Sequence, residues 1–97
     1  METEKKAVLV TTEKKGVFFG LLEDDTKLPE AITLSECRMC VYWARSVRGV
    51  LGLAAAGPNE ECRITRAAPQ STLYGITGVF ACTPEAVKAW RAQPWNN

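Results

Sequence analysis

Six consecutive residues, Val17-Phe18-Phe19-Gly20-Leu21-Leu22, carry no polar side chain. In an extended strand Phe18, Gly20 and Leu22 point one way, and Val17, Phe19 and Leu21 the other. A strand over residues 17–23 must therefore be covered on both faces, as a central strand or within a subunit interface. The chain that has to supply this cover is 97 residues long. That is one domain over residues 1–97, with loose termini expected at 1–6 and 94–97, and it can bury roughly two-thirds of its unfolded surface without disulfides or metal.

The neighbouring segments supply strands first. Residues 7–12, Ala-Val-Leu-Val-Thr-Thr, are rich in β-branched side chains, and Glu13-Lys14-Lys15-Gly16 reads as a hairpin turn. After the polar turn from Glu23 to Pro29, a long extended segment runs from Ala31 to about Trp43. Its alternation places Cys37, Met39, Val41 and Trp43 on a core face, and Arg38, Cys40 and Tyr42 on the other. Ser46 is the expected N-cap of a helix over 47–56, closed by Gly57-Pro58. A short strand over 62–66 ends at the breaker Ala67-Ala68-Pro69, and 72–82 reads as one longer strand. Thr83-Pro84-Glu85 opens a second helix, reaching about Gln93 and burying Ala86, Val87 and Trp90. The order β-β-β-α-β-β-α predicts an α+β domain: a small, mostly antiparallel sheet with two short helices.

Composition narrows the chemistry. The chain has no histidine and a net charge of +1. The first removes Ser-His-Asp, Cys-His and His-metal designs, and the second removes nucleic-acid coating by excess positive charge. Ser35, Ser46 and Ser71 have only lysine available as a base, and no paired carboxylates stand out. No enzyme activity and no cofactor are expected. Cys37-x-x-Cys40 with Cys62 and Cys82 is weighed as a zinc site or a redox pair, but on a strand Cys37 and Cys40 face opposite ways. Buried structural thiols are the expected reading. The acidic run Glu23-Asp24-Asp25 reads as a solvated tip. With no apolar run of membrane-spanning length and no leader pattern at the N-terminus, the expected compartment is the cytoplasm, without membrane contact.

Arginine is distributed unevenly. Residues 1–36 hold five Lys and eight acids, a net of −3, whereas residues 37–97 hold six Arg, one Lys and three acids, a net of +4. Arginine suits bidentate phosphate recognition and stacking on bases. Arg38, Tyr42, Trp43, Arg45, Ser46 and Arg48 would combine aromatic faces with a helix N-terminus that favours anions. The same residues would equally serve a surface or subunit interface, and the alternative reading of Trp43 is a core side chain.

Gly16-Val17-Phe18-Phe19-Gly20, then Leu34, Arg38 and Tyr42-Trp43, then Leu51, Leu53-Ala54 and Gly57, and finally Thr83-Pro84-Glu85-Ala86, resemble a widespread group of short bacteriophage and prophage proteins. That group consists of domains of unknown function. Members often carry Ala-Arg where this chain has Cys37-Arg38, and Gly where it has Ala44. The resemblance implies a small accessory phage protein, and anti-defence sponges of the anti-CBASS and anti-Thoeris types are proteins of this size. The expectation is a protein that sequesters a cyclic nucleotide signal without turnover. Arg38, Arg45 and Arg48 would hold phosphates, with Ser46 at the helix start, while Tyr42, Trp43 or Phe18 stacks on a base. The alternative is a protein-binding inhibitor of a host defence enzyme, of the anti-CRISPR or anti-restriction type. Single-stranded nucleic acid is disfavoured by the near-neutral charge. The two-faced strand and a small-residue stripe of Gly49, Gly52 and Ala56 point to a homo-oligomer, located in the host cytoplasm if the gene is a phage's.

Overall fold

The computed structural model describes residues 6–13, 16–43 and 45–94. Strands β1 (Ala7–Thr12), β2 (Gly16–Asp24) and β3 (Ala31–Tyr42) form an antiparallel meander, with β2 in the middle. The two-faced strand is central, as its sequence requires. Val17 and Phe19 enter a first core with Leu9, Cys40, Leu53, Ile64, Ala86 and Trp90. On the opposite face Phe18 and Leu22 pack against a second core of Val8, Val10, Ile32, Leu34 and Cys37. Lys14 and Lys15 of the expected hairpin turn, and the termini 1–5 and 95–97, lie outside the described residues. Lys6 is tied down, its carbonyl accepting from the Leu22 N–H at 2.7 Å.

A 3-10 turn over Arg45–Val47 follows β3, then helix α1 (Gly49–Ala55), β4 (Arg63–Ile64), β5 (Ala68–Tyr74), β6 (Ile76–Ala81) and helix α2 (Pro84–Ala92). The domain is α+β, with a six-stranded antiparallel sheet ordered β4-β3-β2-β1-β6 and β5 also paired to β3. The expected single strand over 72–82 is two strands. Gly75, at a φ of 66°, turns the chain between them. β5 pairs with β3 and β6 with β1, so one bent segment bridges both sides of the meander. Gly75 ties the corner, donating to the Glu30 carbonyl at 3.3 Å and accepting from the Glu13 N–H at 2.9 Å. The sheet thus curls around the second core. Ala68-Pro69 is no breaker: it opens β5, where an edge strand tolerates a residue without an N–H. The expected strand over 62–66 shortens to Arg63–Ile64.

The helix ends follow local chemistry. Thr83 caps α2, its hydroxyl accepting from the Ala86 N–H at 3.0 Å and donating to the Ala55 carbonyl. Ala86 and Trp90 are buried and Val87 half-buried, on the face the sequence predicts. Gly57, at a φ of 85°, follows the α1 cap, and its N–H donates to the Leu53 carbonyl at 3.1 Å. A Cβ at Gly57 would stand 2.6 Å from the Ala89 Cβ, so this glycine also sets how closely α2 approaches.

Candidate functional site

β3 departs from simple alternation, and the departure decides where its arginine goes. Phe19 pairs with Arg38 and Leu21 with Ser35, so three steps along β3 face two along β2. The extra residue is a bulge, with Glu36 at a φ of 51°. Beyond it the faces are exchanged. Arg38 and Cys40 turn inward, while Met39 and Val41 reach the surface, Val41 at 58% exposure. The expected core face of Cys37, Met39, Val41 and Trp43 is corrected accordingly: Cys37 is buried and Trp43 half-buried, against different cores.

Arg38 is only 7% exposed. Its Nε donates to the Thr65 carbonyl at 2.9 Å and its Nη1 to the Trp90 carbonyl at 2.6 Å. Burial pulls its pKa below the ordinary arginine value. The guanidinium that was to hold a phosphate instead joins β3 to the segment after β4 and to the last turn of α2. Phe18 packs against the second core and lies across from Met39 in the register, also away from the other candidates.

The helix start is corrected as well. Arg48 adopts a left-handed conformation, φ 66°, and α1 begins only at Gly49 with no side-chain cap. Ser46 sits instead in the 3-10 turn and belongs to a polar network. Its hydroxyl accepts from Asn59 Nδ2 at 2.9 Å and donates to Glu61 Oε1 at 3.2 Å. Asn59 anchors the segment further, its Oδ1 accepting from the Glu61 N–H at 3.0 Å and its carbonyl from Gln93 Nε2 at 3.0 Å. Ser46 and Arg48 do come together, along an open groove of about 410 Å3 completed by Gly52, Pro58 and Asn59. The Glu61 carboxylate beside Ser46 makes that end of the groove unfavourable for an anion. Gly52 is there for space: a Cβ on it would collide with the Val47 carbonyl. The Gly49, Gly52, Ala56 stripe therefore splits, one glycine serving this packing while Gly49 faces open space.

The remaining candidates are at the surface. Tyr42 is 54% exposed and lies opposite Arg63 of β4. Arg45, Arg48 and Arg63 are exposed too. The sequence pattern placed Val41 on the core face, and the bulge leaves it outside. Arg63 joins the surface through the pairing of β4 with β3.

The thiols are distributed between the two cores. Cys37 lies in the second core, while Cys40 and Cys62 lie in the first, with Cys82 packed against it. Among the described residues, no three Cys, Asp or Glu side chains gather as a metal site would require. Burial, with Cys62 nearby, pushes Cys40 up to about 12, and burial pushes Cys82 up to about 11. Both exceed the ordinary thiol value of 9.0, so the folded chain keeps protons that the unfolded chain releases above that pH. Their contribution to stability is whole below pH 9 and is lost as pH rises towards 11–12. The unfolding free energy read from urea titrations is expected to fall between pH 9 and pH 11, by on the order of 1 kcal/mol per thiol per pH unit. Replacing Cys40 by alanine should flatten that slope, and an unchanged slope would count against the assignment.

No helix among the described residues is long and apolar enough to cross a membrane. Residues 5–90 match the family model of a domain of unknown function (DUF6948). No curated protein and no solved structure matches the chain.

Proposed function

The chain belongs to the DUF6948 family, a membership that brings no activity with it, and we propose that it is a non-catalytic binding protein whose partner is an acidic protein surface. The observation that carries this reading is the exposed end of β3. Val41 and Tyr42 are both exposed there, with Arg63 opposite Tyr42 and Arg45 in the next turn. Tyrosine and arginine are among the side chains that most often carry the binding energy of a protein interface. The net of +4 in residues 37–97 supplies attraction to an acidic partner and a faster encounter. With the resemblance to phage proteins, the reading becomes a phage-encoded inhibitor of a bacterial defence enzyme, acting by occlusion in the host cytoplasm.

A second reading, sequestration of a cyclic nucleotide, has the groove at Ser46 and Arg48 in its favour. It has lost Arg38 to the interior, and Glu61 stands where a phosphate would enter. The two readings part in one experiment. Chain purified from a bacterial host is divided between capture of lysate proteins and mass spectrometry of small molecules released by heating. The protein reading expects an acidic protein retained by the native chain and lost with the double variant Tyr42→Ala, Arg63→Glu. A stoichiometric nucleotide in the heat-released fraction, with no protein captured, would overturn it.

A further inference from the structure

The curled sheet leaves two sides open, and they are built differently. Among the described residues β5 has one strand neighbour, β3, and its sequence carries Pro69 followed by Gln70, Ser71 and Thr72. A proline and a polar run are devices that stop an edge from pairing with another chain. β6 also has one strand neighbour among the described residues, β1. Its sequence, Ile-Thr-Gly-Val-Phe-Ala, has no charge and no proline. The register irregularity against β1 falls at Thr77, and Gly78–Ala81 pair regularly with Val8–Thr11. Alternate N–H and C=O groups of this stretch therefore face outward in a form another strand can use.

Apolar side chains flank the same edge. Leu51 of α1 is 68% exposed and Val79 40% exposed. Together with Ala55, Phe80 and Ala81 they line an open groove of about 410 Å3 between α1 and β6. We infer that β6 is a self-pairing edge and that its occupant is the β6 strand of a second copy, antiparallel about a two-fold axis. An antiparallel edge is complementary to itself, because each outward N–H finds the partner's outward C=O under that symmetry. A neutral strand meets its copy without like-charge repulsion, whereas a charged edge would not. The partner's Val79 and Leu51 would then cover this copy's, on the two faces of a continuous sheet.

Area sets the strength. Six residues span about 20 Å, and the molecule is 23 Å across its shortest axis. The contact is thus at most about 450 Å2 per copy, below the range of standard stable interfaces. The dimer is therefore weak and reversible. It differs from the assembly expected from the two-faced strand, since β2 is spent within the chain's own cores.

Sedimentation equilibrium from low micromolar to several hundred micromolar tests the inference. The apparent mass should climb from 10.7 kDa towards twice that value. Val79→Lys should hold it at the monomer value throughout, and Leu28→Lys, at an exposed position on the turn after β2, should leave the dimer intact. Hydrogen exchange on the unaltered chain serves if Val79→Lys fails to fold: amides in Gly78–Ala81 should exchange at least about tenfold slower in concentrated than in dilute solution, and those of β5 should not change. A monomer at every concentration would overturn the inference. So would a dimer indifferent to Val79→Lys, or concentration-dependent protection confined to other strands.

Discussion

Replacing Trp90 by alanine is expected to destabilise the fold by about 3–5 kcal/mol, the largest loss of any single substitution considered. Trp90 is fully buried on α2 and stacks on Phe19 with ring centroids 5.0 Å apart. Its indole N–H donates to the Leu53 carbonyl at 3.1 Å, which fastens α1 to α2 through the same side chain that fastens α2 to the sheet. Removing it leaves a large cavity in the first core and takes the indole donor from the Leu53 carbonyl, which keeps the Gly57 N–H. Small domains have only about 5–15 kcal/mol to lose, so much of the population should be unfolded under mild urea. Trp90→Phe separates the contributions. It keeps a ring against Phe19 and gives up the hydrogen bond, for a loss of about 1–3 kcal/mol. Urea unfolding followed by circular dichroism reads both, and a loss under 1 kcal/mol for the alanine variant would contradict the packing described.

Arg38→Ala is the second large effect, a loss of about 2–4 kcal/mol. Two carbonyls, of Thr65 and Trp90, lose a charged donor at once. They belong to two different segments, the chain after β4 and the end of α2, which the guanidinium joins to β3. Lysine in its place keeps the charge but has no fork to reach both carbonyls, so Arg38→Lys should recover only part of the loss. The double variant Arg45→Ala, Arg48→Ala makes the comparison, because exposed side chains usually contribute within about 0.5 kcal/mol. Equal melting of the two variants would return Arg38 to the surface set and undo the division made here.

What could be read from the sequence was what local chemistry decides. Thr83-Pro84-Glu85 starts α2 and Gly57 follows α1, because caps are settled by the few residues around them. The apolar stretch from Val17 to Leu22 is central because neither of its faces can meet water. The bulge at Glu36 was not legible. It arises from how β3 registers against β2, a pairing set by the whole sheet, and no glycine marks it. Of the seven candidate site residues, that inserted residue took one, Arg38, into the interior, and it left Val41 outside. Ser46 looked like an N-cap from its immediate neighbours, but Asn59 and Glu61, more than a dozen residues on, claim its hydroxyl instead. Gly75 stands inside the stretch read as one strand, residues 72–82. That it sends the chain from one side of the meander to the other depends on Glu13 and Glu30, which are far away in sequence.

The division between an interior arginine and a binding surface at the end of β3 is tested most directly by crosslinking. A photoreactive amino acid placed at Tyr42, and separately at Lys88 on the exposed side of α2, is activated in the bacterial host. Position 42 is expected to yield one dominant adduct with an acidic host protein, abolished by Arg63→Glu, while position 88 yields none. Equal labelling from both positions, or adducts to a nucleotide alone, would contradict a protein-binding surface at Tyr42 and Arg63.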